Sequence, residues 1–198
     1  VHRAHLEGGR SSAPPSPRSQ LGHPRTRRRI GRMGVRLMLM RHAKSSWDDP
    51  QLKDKDRPLN ARGLRSAERV GAILCQNEAA DWIPDVILCS DAVRAQSTLE
   101  HMVLANPGLR SVPTSVFPEL YSRSGSGADI VDVLQKLLPK TADNGNGTAH
   151  SKCALLIGHN PGWEESAAWW CGDDALRLKT AHAALLQSDA DGWADALN

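Results

Sequence analysis

Val35-Arg36-Leu37-Met38-Leu39-Met40-Arg41-His42 is an apolar run interrupted only by Arg36 and ending abruptly in two basic residues. Such a run, too short for a helix and apolar without alternation, predicts a strand buried on both faces. The same pattern recurs twice. Val86-Ile87-Leu88-Cys89 ends at Ser90-Asp91, and Cys153-Ala154-Leu155-Leu156-Ile157 ends at Gly158-His159-Asn160-Pro161-Gly162. Between the strands lie helical periods. Leu64, Ala67, Val70, Gly71 and Leu74 fall on one face of a helix that Asn60 can cap. Arg94, Thr98 and Met102 share a second helix, for which Ser90-Asp91 offers a cap, and Ala128 to Leu138 forms a third that Pro139 ends. A fourth starts near Trp163, Val112 to Val116 is a weaker strand, and Leu176 to Leu186 is a candidate last strand. Strands alternating with helices predict an α/β fold with a mostly parallel sheet covered on both faces. In such sheets function gathers at the carboxyl ends of strands. That singles out Arg41-His42, Ser90 to Arg94, and Gly158-His159.

The chain has 198 residues, enough for one domain with a single core plus a tail. Its apolar runs fall far short of the ~18 residues of a membrane span, which excludes a transmembrane helix and gives no membrane partner. The net charge of +3 is unevenly spread. Residues 1–32 carry eight Arg and one acid, Glu7, a net of +7, leaving 17 basic and 21 acidic residues and a net of −4 in the remainder. A body of −4 has no overall field for nucleic acid, so any phosphate must be held by a local site. Cys75, Cys89, Cys153 and Cys171 form no CxxC pair, so neither a zinc knuckle nor a disulfide framework is indicated. Cys89 and Cys153, in apolar runs, read as buried core.

The strand ends together offer two histidines and two arginines. Two guanidiniums make a permanently charged clamp for a tetrahedral oxyanion. A neutral imidazole can attack phosphorus and divide phosphoryl transfer into two easier steps. Clustered cations also stabilise charge on the equatorial oxygens of the transition state. No Walker loop is present. Paired histidines can ligate a metal, but the neighbouring arginines would repel a divalent ion, so no metal or other cofactor is expected. His101 and His182 read as structural, and Asn146-Gly147-Thr148 as a chance sequon.

Leu39-Met40-Arg41-His42-Ala43-Lys44-Ser45-Ser46-Trp47 resembles the Arg-His-Gly/Ala motif that opens the histidine phosphatase (phosphoglycerate mutase-like) superfamily. With Asp56-Arg57-Pro58-Leu59-Asn60-Ala61-Arg62-Gly63, it resembles the SixA-type phosphohistidine phosphatase branch. Ser90 to Thr98 is similar to the family's second-arginine helix, Phe117-Pro118-Glu119-Leu120-Tyr121 to its acidic segment, and Gly158 to Gly162 to its second histidine. The resemblance spans about residues 35–193. It implies a three-layer α/β/α sandwich with a mostly parallel central sheet, and a phosphatase. His42 would be the nucleophile; Arg41, Arg94 and His159 would bind phosphoryl oxygens, with Arg57 and Ser45 adding contacts. Glu119 stands where many relatives keep a proton donor, although this branch often manages without one.

The expected substrate is a phosphorylated protein histidine or a small phosphomonoester. The rivals are a sugar-phosphate or nucleotide phosphatase on the same site, and a non-catalytic phosphoprotein-binding module. Retention of Arg41, His42, Arg94 and His159 disfavours the latter. The chain stops at Asn198, soon after Trp193, where relatives usually continue, and nothing in it reports oligomeric state.

Residues 1–32, rich in Arg, Ser and Pro, cannot bury enough apolar area to order themselves. They read as a disordered extension before a 33–198 domain: a transit peptide, which would place the protein in a chloroplast or mitochondrion, or a mis-annotated start before Met33, which would leave it cytoplasmic. An RNA-binding arm built on the Arg25-to-Arg32 cluster is the third reading. A chain beginning at Met33 should keep the melting temperature and the turnover of the full chain on both a small phosphomonoester and a phosphoprotein. A salt-sensitive loss on the phosphoprotein alone would show that the +7 segment recruits substrate.

Overall fold

Alternation inside the apolar runs determines how the sheet is covered. The computed structural model describes residues 34–74, 82–121, 127–141 and 152–198. The readings for residues 1–32, Met33, Cys75 and most of the 141–152 loop therefore lie outside the described residues. Strand β1 (Val35–Arg41) sends Val35, Leu37 and Leu39 into one core and Met38 and Met40 into the other. The central strands β2 (Val86–Ser90) and β4 (Cys153–Gly158) do the same and are buried at every position. A fully apolar strand is stable only where both faces are covered, and here they are.

One layer is formed by helices α1 (Ala61–Ile73) and α2 (Val93–Ala105), whose Ala67, Ala95 and Met102 meet Ile87, Leu155 and Ile157. The opposite layer is α3 (Gly127–Thr141) and α4 (Gly162–Cys171), with Leu134, Leu138, Trp163 and Ala167 against Leu88 and Leu156. The short α5 (Trp193–Ala196) closes that layer with Trp193. The result is the three-layer α/β/α sandwich. Its five-stranded sheet runs β3-β2-β4-β1-β5, with β3 at Thr114–Phe117 and β5 at Ala183–Ser188. All pairings are parallel except β1 with β5.

Several local expectations shift. Asn60 does cap α1, accepting from Gly63 N at 2.9 Å. Helix α2, however, is preceded by Ala92 and has no side-chain cap; Ser90 Oγ accepts from Ala92 N at 3.3 Å instead. Pro139 lies inside α3, where one lost backbone bond in the last turn is offset by burial of Leu138. The final strand starts at Ala183 rather than Leu176, because pairing with β1 begins opposite Met40. Residues 176–182 are left as a loop whose backbone serves the site.

Helices α1 and α2 approach closely because Gly63, Ala67 and Gly71 make up the buried face of α1. A Cβ on Gly71 would sit 2.4 Å from the Met102 carbonyl oxygen. Gly71→Ala should therefore lower stability by roughly 1–3 kcal/mol through overpacking, exceeding the ~1 kcal/mol that Ala gains over Gly in a helix. Thermal denaturation tests this; an unchanged or raised melting temperature would contradict the close-contact reading.

Candidate active site

Register brings the three strand ends together. Arg41 lies opposite Gly158, and Cys89 opposite Ile157, so the residues that follow, His42, Ser90 and His159, gather at one edge of β1, β2 and β4. The two imidazole centroids lie 4.9 Å apart. Arg94 arrives from the first turn of α2, its guanidinium buried to 4% exposure. The two histidines and Arg94, with Arg41, Lys44, Ser45, Trp47, Asp54, Arg57, Tyr121, Asn160 and Thr180, line a cavity of about 310 Å³.

Hydrogen bonding fixes the tautomer of His42. Its Nδ1 lies 2.7 Å from the Ala43 carbonyl oxygen. A carbonyl can only accept, so Nδ1 carries the proton and Nε2 carries a lone pair. Arg94 Nε donates to that Nε2 at 3.1 Å. Burial pushes the His42 pKa down, and Arg94, Arg41 and Arg57 push it the same way, to about 4 despite the Ala43 bond. The ring is therefore neutral at pH 7, with its lone pair directed at Arg94 Nε.

A buried guanidinium needs partners. Arg94 Nη2 donates to Asp54 Oδ2 at 2.9 Å, and its Nη1 bonds the Asp54 carbonyl. The Asp54 carboxylate also accepts from Arg57 Nη2 at 2.8 Å, Arg57 Nε at 3.1 Å and the Tyr121 hydroxyl at 2.8 Å. Burial alone would raise the pKa of Asp54, but Tyr121, Arg94 and Arg57 together outweigh it and bring the carboxyl to about 2. One ionised carboxylate thus aligns two guanidiniums.

Arg41 is held from the far side. Its Nη1 donates to the Leu178 carbonyl at 2.9 Å, and Asn160 Nδ2 donates to the same oxygen at 3.0 Å. Glu164 completes the brace, accepting from Leu178 N at 2.7 Å and Asn160 Nδ2 at 3.0 Å. His159 shares a 2.9 Å hydrogen bond with Ser90 Oγ, and burial with the nearby cations keeps it neutral. Arg41 Nε and His159 Nδ1 are buried with no protein hydrogen-bond partner. Buried polar atoms in that condition are rare, and here both lie on residues lining one cationic cavity. Among the described residues, no cluster of three or more His, Cys, Asp or Glu side chains is placed to hold a metal ion.

Of the residues singled out from sequence, Arg41, His42, Ser45, Arg57, Arg94 and His159 line the cavity together. Glu119 is exposed on the 3-10 turn Pro118–Leu120 and is not among the lining residues. His101 and His182 lie apart, bonded to Glu68 and to the Thr180 carbonyl. Sequence reading missed Asp54 and Tyr121. Available signals were the carboxylate three positions before Arg57 and the aromatic ring closing the Phe117-to-Tyr121 segment.

Comparison with known proteins agrees with this arrangement. The sequence profile of the histidine phosphatase superfamily (branch 1) matches residues 37–122. An uncharacterized chloroplastic protein of Arabidopsis thaliana is 37% identical over 161 residues, covering 81% of this chain and 70% of that protein. The solved SixA protein from Agrobacterium tumefaciens superposes with a TM-score of 0.61 at 24% identity, covering 78% of this chain and 92% of that one. A structure of the protein histidine phosphatase SixA complexed with tungstate gives 0.59 at 22% identity, over 76% of this chain and 86% of that chain. The chain belongs to the histidine phosphatase superfamily, and its phosphoglycerate mutase-like fold is that of the SixA structures.

With a depressed pKa, His42 remains the free base until the pH falls through about 4. An NMR titration of the His42 ring should show no protonation between pH 8 and 5 and a midpoint near 4. A midpoint at the ordinary 6.5 would contradict the buried, arginine-flanked environment.

Proposed function

We propose that this protein is a metal-independent phosphatase working through a phosphohistidine intermediate on His42. The observation that carries the reading is the pairing of a protonated Nδ1, tied to the Ala43 carbonyl, with an unprotonated Nε2 in a cavity lined by three arginines. Nε2 attacks phosphorus, and the bond from phosphorus to the leaving atom breaks, its electron pair departing with that atom. Water then attacks the phosphoryl group, the P–N pair returns to Nε2, and the water's proton passes to solvent. Arg41, Arg57, Arg94 and His159 supply donors to the equatorial oxygens, whose charge they stabilise. The substrate is a phosphohistidine in a protein or a small phosphomonoester.

A phosphorus–nitrogen bond to imidazole is already labile and needs little help from an acid. The exposed position of Glu119 fits a reaction that does without it as proton donor. The tungstate bound in a solved SixA structure supports an oxyanion site of this kind. The chloroplastic description of the Arabidopsis relative, together with the Arg-rich residues 1–32, supports a plastid setting with residues 1–32 as transit peptide before a 33–198 domain.

His42→Ala should reduce turnover by on the order of 10³-fold or more, and Arg94→Ala by roughly 10²-fold or more through loss of oxyanion donors. A quenched reaction should trap acid-labile, alkali-stable phosphate on His42. Activity should persist in excess chelator, and tungstate or vanadate should inhibit. Phosphate trapped on another residue, or strict dependence on added magnesium or zinc, would overturn the mechanism.

A further inference from the structure

Trp47 lines the same cavity as His42 and Arg94, yet its side chain is 68% exposed. Exposure alone carries little meaning, since Trp169 is 60% exposed elsewhere and single apolar residues on a surface are ordinary. What distinguishes Trp47 is how its indole is held. The Arg57 guanidinium lies over the ring, 3.5 Å from its centroid, a stacked cation–π contact. Arg57 itself does not move freely, because Asp54 accepts two of its N–H groups and the Ser46 carbonyl accepts Nη1 at 3.1 Å. The backbone under the indole is fixed as well. Ser46 N donates to the Pro58 carbonyl at 2.8 Å, and Ser45 forms a β-bridge with Leu59.

The ring is thus an aromatic surface clamped on one side, exposed to solvent, and mechanically linked through Arg57 and Asp54 to the guanidinium that faces His42. A fixed, solvated aromatic face beside a phosphoryl site suits a flat, π-rich group attached to the phosphorus, since stacking requires little ordering of the protein. An aliphatic group gains no such contact.

We propose that Trp47 is a specificity-determining residue that stacks the planar ring of the group carrying the phosphoryl, which selects heteroaromatic and aryl phosphoryl compounds, the imidazole of phosphohistidine among them, over alkyl phosphates. This rests on the phosphoryl-site reading given above but adds the class of group that the mouth of the site accepts.

Binding separates the two, and phenylphosphonate and methylphosphonate are suitable probes because neither can turn over. On the full chain, calorimetry should show phenylphosphonate binding roughly three- to tenfold more tightly than methylphosphonate, the range expected of one aromatic contact. Trp47→Ala should erase that ratio, and Trp47→Phe should largely keep it. In steady-state assays, Trp47→Ala should raise KM for phosphoimidazole and for an aryl phosphate several-fold more than KM for glycerol phosphate. Equal affinity of the wild-type protein for the two phosphonates would overturn the platform while leaving the phosphoryl site intact. An equal loss for both probes in Trp47→Ala would show a merely structural role and overturn it as well. Absence of binding by either phosphonate would count against the phosphoryl site itself, and the platform would fall with it.

Discussion

The Arg94 guanidinium donates one N–H to the His42 Nε2 lone pair and two more to the Asp54 main chain and side chain. Nearly everything else in the site can be traced from that contact. A cation at 4% exposure is tolerable only if its charge is answered inside the protein. Asp54 answers it, and the same carboxylate must then be shared with Arg57 and Tyr121. The proximity of three arginines, added to burial, keeps His42 unprotonated. The apolar strands underneath supply burial, the arginines supply charge, and the two act on the imidazole in the same direction.

Much of this was legible in the sequence for a definite reason. The three apolar runs are unambiguous because strands buried on both faces hold few polar residues, and each ends at residues that line or adjoin the cavity. Arg41, His42, Arg94 and His159 all follow or adjoin such ends, so topology alone brought them together. Asp54 was illegible for the opposite reason. It sits in a loop with Asp48, Asp49 and Asp56, and nothing local distinguishes the carboxylate that will meet Arg94, 40 positions later.

Glu119 and Tyr121 show the same limit at finer scale. Both lie in a short acidic-aromatic segment that points to the site, but the tight 3-10 turn sends Leu120 into the core. That leaves Glu119 in solvent and Tyr121 against Asp54 and, edge-on at 5.2 Å, against His159. Which neighbour faces the cavity is decided by the burial of a leucine, not by the chemistry of the acid. The loop at residues 176–182 is a similar case. It reads as strand by composition, yet its role comes from a main-chain carbonyl, at Leu178, to which side-chain patterns are blind.

The pairing of β1 with β4 delays assembly of the site until late in the chain. Met38 sits beside Leu155, so the strand bearing the first histidine must wait for more than half of the chain before it gains that parallel neighbour. The brace on Arg41 comes later still, from Leu178 and Glu164. Contacts so far apart in sequence are slow to close, because the intervening loop must lose its freedom before any of them rewards the chain. A nascent or unfolded chain therefore carries His42 without its neutral, arginine-flanked setting. In an extended polypeptide that imidazole titrates like any other and finds no guanidinium held beside it. The neutral, arginine-flanked imidazole belongs to the completed fold, and a chain still being synthesised lacks it until its distant strands have docked.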